Sequence, residues 1–179
     1  INRRPTGQQQ KKKVKARFCR KGFSQHIGNK DLETYSSTPS SLTLFIMLII
    51  SFVMGWSAWA SDISSAFLYT PVQGIIRVWP PPELGLPPNS CWRLKRAFCG
   101  LKTSPKQWQQ HLHNILINEF KFTRSKLDPN LFIGPSNNIM ILVYVDDLFI
   151  VGNHQAGQDF LSKLSKKLQL KHITPLKPG

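Results

Sequence analysis

Asp146 and Asp147 stand side by side inside the run Ile-Leu-Val-Tyr-Val-Asp-Asp-Leu-Phe-Ile-Val, residues 141–151. Adjacent carboxylates repel each other, and taking them out of water is costly unless positive charge offsets them. The β-branched and aromatic residues on either side read as two short buried strands meeting at a tight turn. Taken alone, the pair is most simply a solvated hairpin tip, since Asp favours turns. Carboxylates in such surroundings also hold divalent cations, because Mg²⁺ takes oxygen ligands. A third carboxylate, Asp62, ends another apolar strand 84 residues earlier. A strand-end carboxylate facing a carboxylate hairpin is what two-metal phosphoryl transfer requires. Two ions about 4 Å apart activate the attacking oxygen and stabilise the leaving one, and carboxylates from different strands must converge to hold them.

The rest of the composition supplies a substrate class. Among 179 residues there are 24 Lys plus Arg against 9 Asp plus Glu, a formal charge of +15. An excess of this size points to a polyanionic partner, because phosphate neutralisation with counterion release dominates nucleic-acid affinity. With so few acids, two side by side among apolar residues are poor candidates for ordinary surface charge. Cys19, Cys91 and Cys99 are widely spaced, with no C-x-x-C pair and no zinc spacing, and read as free thiols in a reducing compartment. His111 and His113 do not share a helix face, and His26, His154 and His172 have no evident partners.

These residues need a scaffold of strands and helices. Residues 1–13 are polar and basic, either an arm or a hairpin whose tip meets phosphates, and 14–23 alternate as a strand. The apolar stretch 42–54 is too short for a bilayer, which takes ~20 residues, and is expected as a buried helix. Strands are expected at 56–63 and 75–79, then a rigid proline-rich loop at 80–88, then a strand at 92–98. A helix should start with Ser104 as N-cap and Pro105 at its first position, burying Trp108, Leu112, Ile115, Leu116 and Phe120. A short strand at 131–133 leads to the carboxylate hairpin, and a last helix over 155–170 buries Phe160, Leu161, Leu164 and Leu168. No signal peptide is visible, and the chain reads as a fragment of something longer.

In this order and spacing the motifs resemble the reverse transcriptase of copia-type retrotransposons. They are Lys-Ala-Arg-x-x-x-Lys-Gly-Phe-x-Gln (15–25), Glu-Thr-Tyr-Ser (33–36), Asp-Ile-Ser-Ser-Ala-Phe-Leu (62–68) and Pro-Pro-Pro (80–82). They continue with Arg-Leu-Lys-Arg-Ala-Phe-Cys-Gly-Leu-Lys-Thr-Ser-Pro-Lys-Gln-Trp (93–108), Asp-Pro-Asn-Leu-Phe (128–132) and Tyr-Val-Asp-Asp (144–147). The resemblance implies an α+β, right-hand polymerase, with an antiparallel palm sheet backed by helices and the thumb absent. Residues 1–54 and 71–103 would form a fingers-like part, and 55–70 with 104–179 the palm, in a single continuous domain. It implies an RNA-directed DNA polymerase fragment of a retrotransposon polyprotein, or an inactive nucleic-acid-binding relic of one.

The same resemblance assigns roles. Asp62, Asp146 and Asp147 would bind two Mg²⁺ (or Mn²⁺), Asp147 being the more peripheral, with the Ile63 carbonyl completing a metal shell. Phe67 would collide with a ribose 2′-hydroxyl, although read by itself it is a core aromatic. Gly100 and Lys102 would lie under the templating base and incoming nucleotide, with Lys102 otherwise a surface lysine. Lys15 and Arg17 would contact triphosphate or template. Trp92, Arg93, Lys95 and Arg96 suit a nucleic-acid track, and Tyr144 belongs beside them. Expected partners are an RNA or DNA template with its primer and deoxynucleoside triphosphates, with no membrane. The thumb, integrase and ribonuclease H regions would lie elsewhere in the parent polyprotein. The implied location is a cytoplasmic virus-like particle with a nuclear phase. Three positions depart from the family: Phe45 replaces an Arg, Ser37 a Pro and Cys99 a Tyr. The first of these removes a phosphate-binding charge and argues for the relic.

Overall fold

The computed structural model describes residues 34–176 together with Cys19. The expectations for 1–13 and 14–23, and with them Lys15 and Arg17, lie outside the described residues. A helix, α1 (Ser41–Val53), opens the fold and is followed by β1 (Ser57–Ile63). Next come a two-stranded ribbon, β2 (Arg77–Val78) with β3 (Trp92–Arg93), and a second helix, α2 (Ser104–Asn114). Then follow β4 (Thr123–Arg124), β5 (Leu131–Ile133), β6 (Ile139–Tyr144), β7 (Asp147–Gly152), the helix α3 (His154–Ser165) and β8 (Leu170–Leu176). Six strands form one antiparallel sheet in the order β4-β5-β6-β7-β1-β8. The architecture is α+β, as expected of a reverse transcriptase domain.

Period-2 alternation gives this sheet two different faces. Trp59 and Ile63 of β1, Ile141 and Val143 of β6, and Leu148 and Ile150 of β7 point to one side. There they bury against Trp108, Leu112 and Leu116 from α2 and its extension, and against Phe160, Leu161 and Leu164 from α3. At about 1.5–3 kcal/mol for each fully buried large side chain, this cluster is the main source of stability. α3 lies so close to the Trp59 ring that a Cβ at Gly157 would collide with it. The other face carries Ala58, Met140, Leu142 and Val151, covered by Met47 of α1. Farther along the same rows stand Asp62, Tyr144 and Asp147.

Four expectations require correction. The helix at 42–54 is present, but only Met47 is buried, and eight large apolar side chains between Leu42 and Met54 are exposed. The apolar packing of α1 is confined to the open sheet face, through Leu44, Met47 and Ile50, and burial all round needs neighbours on every side. Ser104 does not cap α2: its hydroxyl donates to the Phe98 carbonyl (2.8 Å) and accepts from the Phe98 amide (3.1 Å), leaving Thr103 at the N-cap. The last helix stops at Ser165, and the chain then turns back as β8 along β1. The ribbon strands are two residues each, shorter than the runs 75–79 and 92–98. His113 is buried edge-on against Phe132 and is held down to about 4 by burial, with Arg124 and Lys106 adding to the effect.

α1 is tied to the sheet layer through Asp128. This buried carboxylate accepts from the Ser40 amide (2.9 Å), the Thr43 hydroxyl (2.6 Å) and the Asn130 amide (2.9 Å). Gln109 of α2 extends the network, its amide donating to the Ser37 hydroxyl (2.7 Å) and to Asn130 Oδ1 (3.1 Å). Burial pushes the Asp128 carboxyl up, but the hydrogen bonds from Thr43, Ser40 and Asn130 outweigh it, and the pKa falls below the ordinary 3.8. A depressed folded-state pKa adds stability above the unfolded value and loses it as pH falls through the folded one. Asp128→Ala should therefore cost about 2–4 kcal/mol at pH 7 in urea denaturation, as expected for stranding several donors of a charged hydrogen-bond centre. The cost should shrink on acidification, and equal losses at neutral and strongly acidic pH would contradict this account.

Candidate active site

Tyr144 pairs with Asp147 across the β6–β7 hairpin, so Val145 and Asp146 are the two turn residues. Val145 has φ +54°, a left-handed conformation that β-branched residues adopt only under constraint, at a cost of about 1–3 kcal/mol. Three contacts impose it. The Trp108 indole N–H, fully buried on α2, donates to the Val145 carbonyl at 2.7 Å. The Ile63 amide donates to the Asp146 carbonyl at 2.8 Å, and the Val145 side chain packs on the core. The turn is thus pinned from both the helix layer and β1.

The pinned turn sits next to Asp62. Asp62 and Asp147 are direct cross-strand partners, and Asp147 is in turn paired with Tyr144, so one row crosses three strands on the open face. Asp146 and Asp62 both line a cleft of about 410 Å³, together with Ile63, Phe67, Cys99 and Lys171. Asp147 lines a second, more apolar hollow of about 460 Å³ with Leu44, Leu142, Tyr144 and Phe149, and Asp62 borders both. Burial, then Asp146, then Asp62 raise the Asp147 carboxyl above the ordinary 3.8. Lys171, the β8 partner of Asp62, places its ammonium 3.5 Å from Asp62 Oδ2.

Among the described residues no three His, Cys, Asp or Glu side chains converge closely enough to enclose a metal ion. The donor set nevertheless fits a hard divalent cation. It is carboxylate oxygen alone, with two carboxylates fronting one cleft and a third in direct register with one of them, its carboxyl raised by burial and then by Asp146 and Asp62.

The other residues singled out in the sequence divide between this cleft and its surroundings. Phe67 is half-buried, lining the cleft while packing on the core. Gly100, at φ +89°, forms the turn after Cys99, and Lys102 is exposed beyond it. Arg93, Lys95 and Arg96 are exposed, and the Arg96 guanidinium donates to the Tyr69 carbonyl at 3.2 Å. Trp92 pairs with Val78 and falls on the ribbon face opposite Arg93. Sequence reasoning missed Lys171 and the turn-holding role of Trp108. The exposed stretch after the last helix carries no alternation that could have pointed to Lys171, and for Trp108 there was no signal beyond its place in the apolar stripe.

The sequence model of the family described as reverse transcriptase (RNA-dependent DNA polymerase) matches residues 2–178. The chain is 30% identical over 164 residues to a retrovirus-related Pol polyprotein from transposon RE1 of Arabidopsis thaliana, covering 89% of this chain and 11% of the relative. To the corresponding polyprotein from transposon RE2 of the same plant it is 32% identical over 146 residues, 79% of this chain and 10% of the relative. The chain therefore spans about a tenth of the length of these curated relatives.

Two measurements probe the geometry. A raised folded-state pKa makes the ionised Asp147 subtract stability once pH passes the unfolded value, and most above the folded one. Asp147→Asn should raise the melting temperature in EDTA at pH 7 by about 1–3 °C, a gain that vanishes below the ordinary carboxylate pKa. A lowered melting temperature at pH 7 would contradict the repulsion. Trp108→Phe, which keeps most of the ring but removes the donor to Val145, should destabilise by about 1–2 kcal/mol in denaturant. Full stability in that variant would show that the turn does not depend on the bond.

Proposed function

The chain belongs to the reverse transcriptase (RNA-dependent DNA polymerase) family, and on that footing we propose that its carboxylate row is a polymerase catalytic centre. The reaction is in-line attack of a primer 3′-hydroxyl on the α-phosphate of a deoxynucleoside triphosphate, with pyrophosphate leaving. The carrying observation is that Asp62, Asp146 and Phe67 front one cleft while Asp147 stands in direct register with Asp62. Asp62 and Asp146 would hold two Mg²⁺ (or Mn²⁺), Asp147 more peripherally, and such ions activate the attacking oxygen and stabilise the leaving one.

The chain's own residues do the rest. Asp62 and Asp146 fix where the reacting phosphate lies, and the pinned turn keeps them there without reorganisation. Phe67 closes the cleft wall where a sugar 2′-hydroxyl would fall. Tyr144, half-exposed beside Asp147, faces the hollow where a primer terminus fits. Residues 55–70 and 104–179 act as palm, contributing β1 and β4 to β8, and 1–54 with 71–103 act as a fingers-like part. Lys15, Arg17, Lys102 and the loop at Gly100 belong to nucleotide and template contact. A thumb, and integrase and ribonuclease H activities, would be supplied by other parts of a parent polyprotein.

A second reading, an inactive nucleic-acid-binding relic, is favoured by one observation. Among the described residues the metal-ligating side chains do not converge, and an ammonium already sits beside Asp62. RNA-templated primer extension, assayed with the chain in its polyprotein context, separates the two. Asp62→Asn and Asp146→Asn should each lower extension by about a thousandfold or more, comparable to losing the key electrostatic group of other active sites. Extension that survives Asp146→Asn would remove the metal-site assignment. Nucleic-acid binding without any extension would establish the relic.

A further inference from the structure

The β2–β3 ribbon places two arginines directly opposite each other, Arg77 against Arg93, and both are exposed. Like charges in directly opposed positions destabilise an antiparallel pair. Neither strand carries an acid, and the sole acid of 71–99 is Glu83 in the connecting loop. Among the described residues no carboxylate lies within ion-pair distance of either guanidinium. A two-stranded ribbon is weakly stable by itself, so such an arrangement is best accounted for by an anion from outside.

The same face carries an aromatic. Val78 is buried and Arg77 exposed, so alternation returns Trp79 to the arginine side, and the following Pro80 keeps it extended. Trp79 is 69% exposed, an unusual state for the largest residue type. It forms one wall of a shallow depression of about 160 Å³ with Pro80, Pro81, Pro87 and Asn89. Phe98, five residues beyond Arg93 and past a bend at Lys95, lines the carboxylate cleft, so the two lie at most about 16 Å apart along the chain.

We infer that this ribbon face binds single-stranded nucleic acid, Trp79 stacking on a base while Arg77 and Arg93 pair with the flanking phosphates; this rests on the polymerase reading above. The combination of a planar exposed ring with paired guanidinium groups matches the stacking and electrostatic requirements of unpaired strands. A duplex hides its base faces and offers Trp79 nothing to stack on. The occupant is therefore a template strand beyond the duplex rather than the primer–template helix. An acidic protein would satisfy the arginines but leave the base-sized depression without purpose.

The test is fluorescence anisotropy on the whole chain with three probes: a single-stranded RNA of about 12 nucleotides, an abasic strand of equal length, and a blunt duplex. Trp79→Ala should weaken single-strand binding about tenfold, leave duplex binding unchanged, and be rescued by Trp79→Phe. The abasic strand should bind the native chain as weakly as RNA binds Trp79→Ala. Replacing both arginines by Ala should lower the salt slope by about 0.7 per arginine for single strands. All these positions are exposed, so the variants should fold normally. Native-like single-strand affinity and salt slope in the variants would overturn the ribbon site alone. So would an abasic strand that binds as tightly as RNA. A chain that binds neither RNA nor duplex would overturn this inference and the polymerase reading together.

Discussion

The bond from the Trp108 indole to the Val145 carbonyl holds together two requirements that conflict. The carboxylates must be presented at the tip of a two-residue turn, yet the first turn residue is a β-branched valine at φ +54°. A glycine there would relieve the backbone but surrender the side-chain packing that anchors the hairpin on the core. The structure instead retains the valine and over-determines its conformation from α2, from β1 and from the apolar cluster. Because Trp108 is wholly buried, the position of the turn is set by the best-packed part of the molecule rather than by a solvated loop. A site that needs fixed dipoles and charges gains from that origin.

The same logic explains how the sheet divides its labour. One face is apolar along its whole length and bonds the helices to the strands. The other begins as apolar surface beneath Met47 and ends as a row of Tyr144, Asp147 and Asp62. Register does this: a slip of one residue in β7 would send Asp147 into the core and Leu148 into solvent. The heavy apolar commitment of the helix-facing side therefore protects the chemistry on the opposite side. Asp128 does the corresponding work for α1, holding its first turn against α2 and the loop before β5.

Where alternation or helical periodicity was strong, as in 57–63, 139–152 and the stripe from Trp108 to Phe120, the sequence already specified strand, helix and buried face. It failed where the pattern was silent. β8 is exposed along nearly its entire length, so Leu170–Leu176 shows no apolar period and gave no strand signal beyond the helix expected to end at 170. The apolar character of α1 says nothing about whether anything covers it. The hydroxyl of Ser104 is an ordinary cap by type, but the Phe98 backbone claims it. The carboxylates were visible as residue types and spacing, whereas their shared row depended on a β1–β7 pairing between segments some 85 residues apart.

Charge distribution connects these parts. A chain with 9 acids and 24 basic residues could neutralise every carboxylate more than twice over, yet Asp147 is left with its pKa raised by burial and by the neighbouring Asp146 and Asp62. The nearest compensation is one lysine at 3.5 Å from Asp62, delivered by the strand that periodicity hid. The remaining positive charge is spent elsewhere, including an arginine pair set against itself on the ribbon. Negative charge is thus concentrated at the cleft against a single lysine, and positive charge on the ribbon without a matching acid among the described residues. Both imbalances raise the energy of the free protein, and under the proposed polymerase reading both would be relieved by the same kind of ligand, a polyanion arriving together with divalent cations.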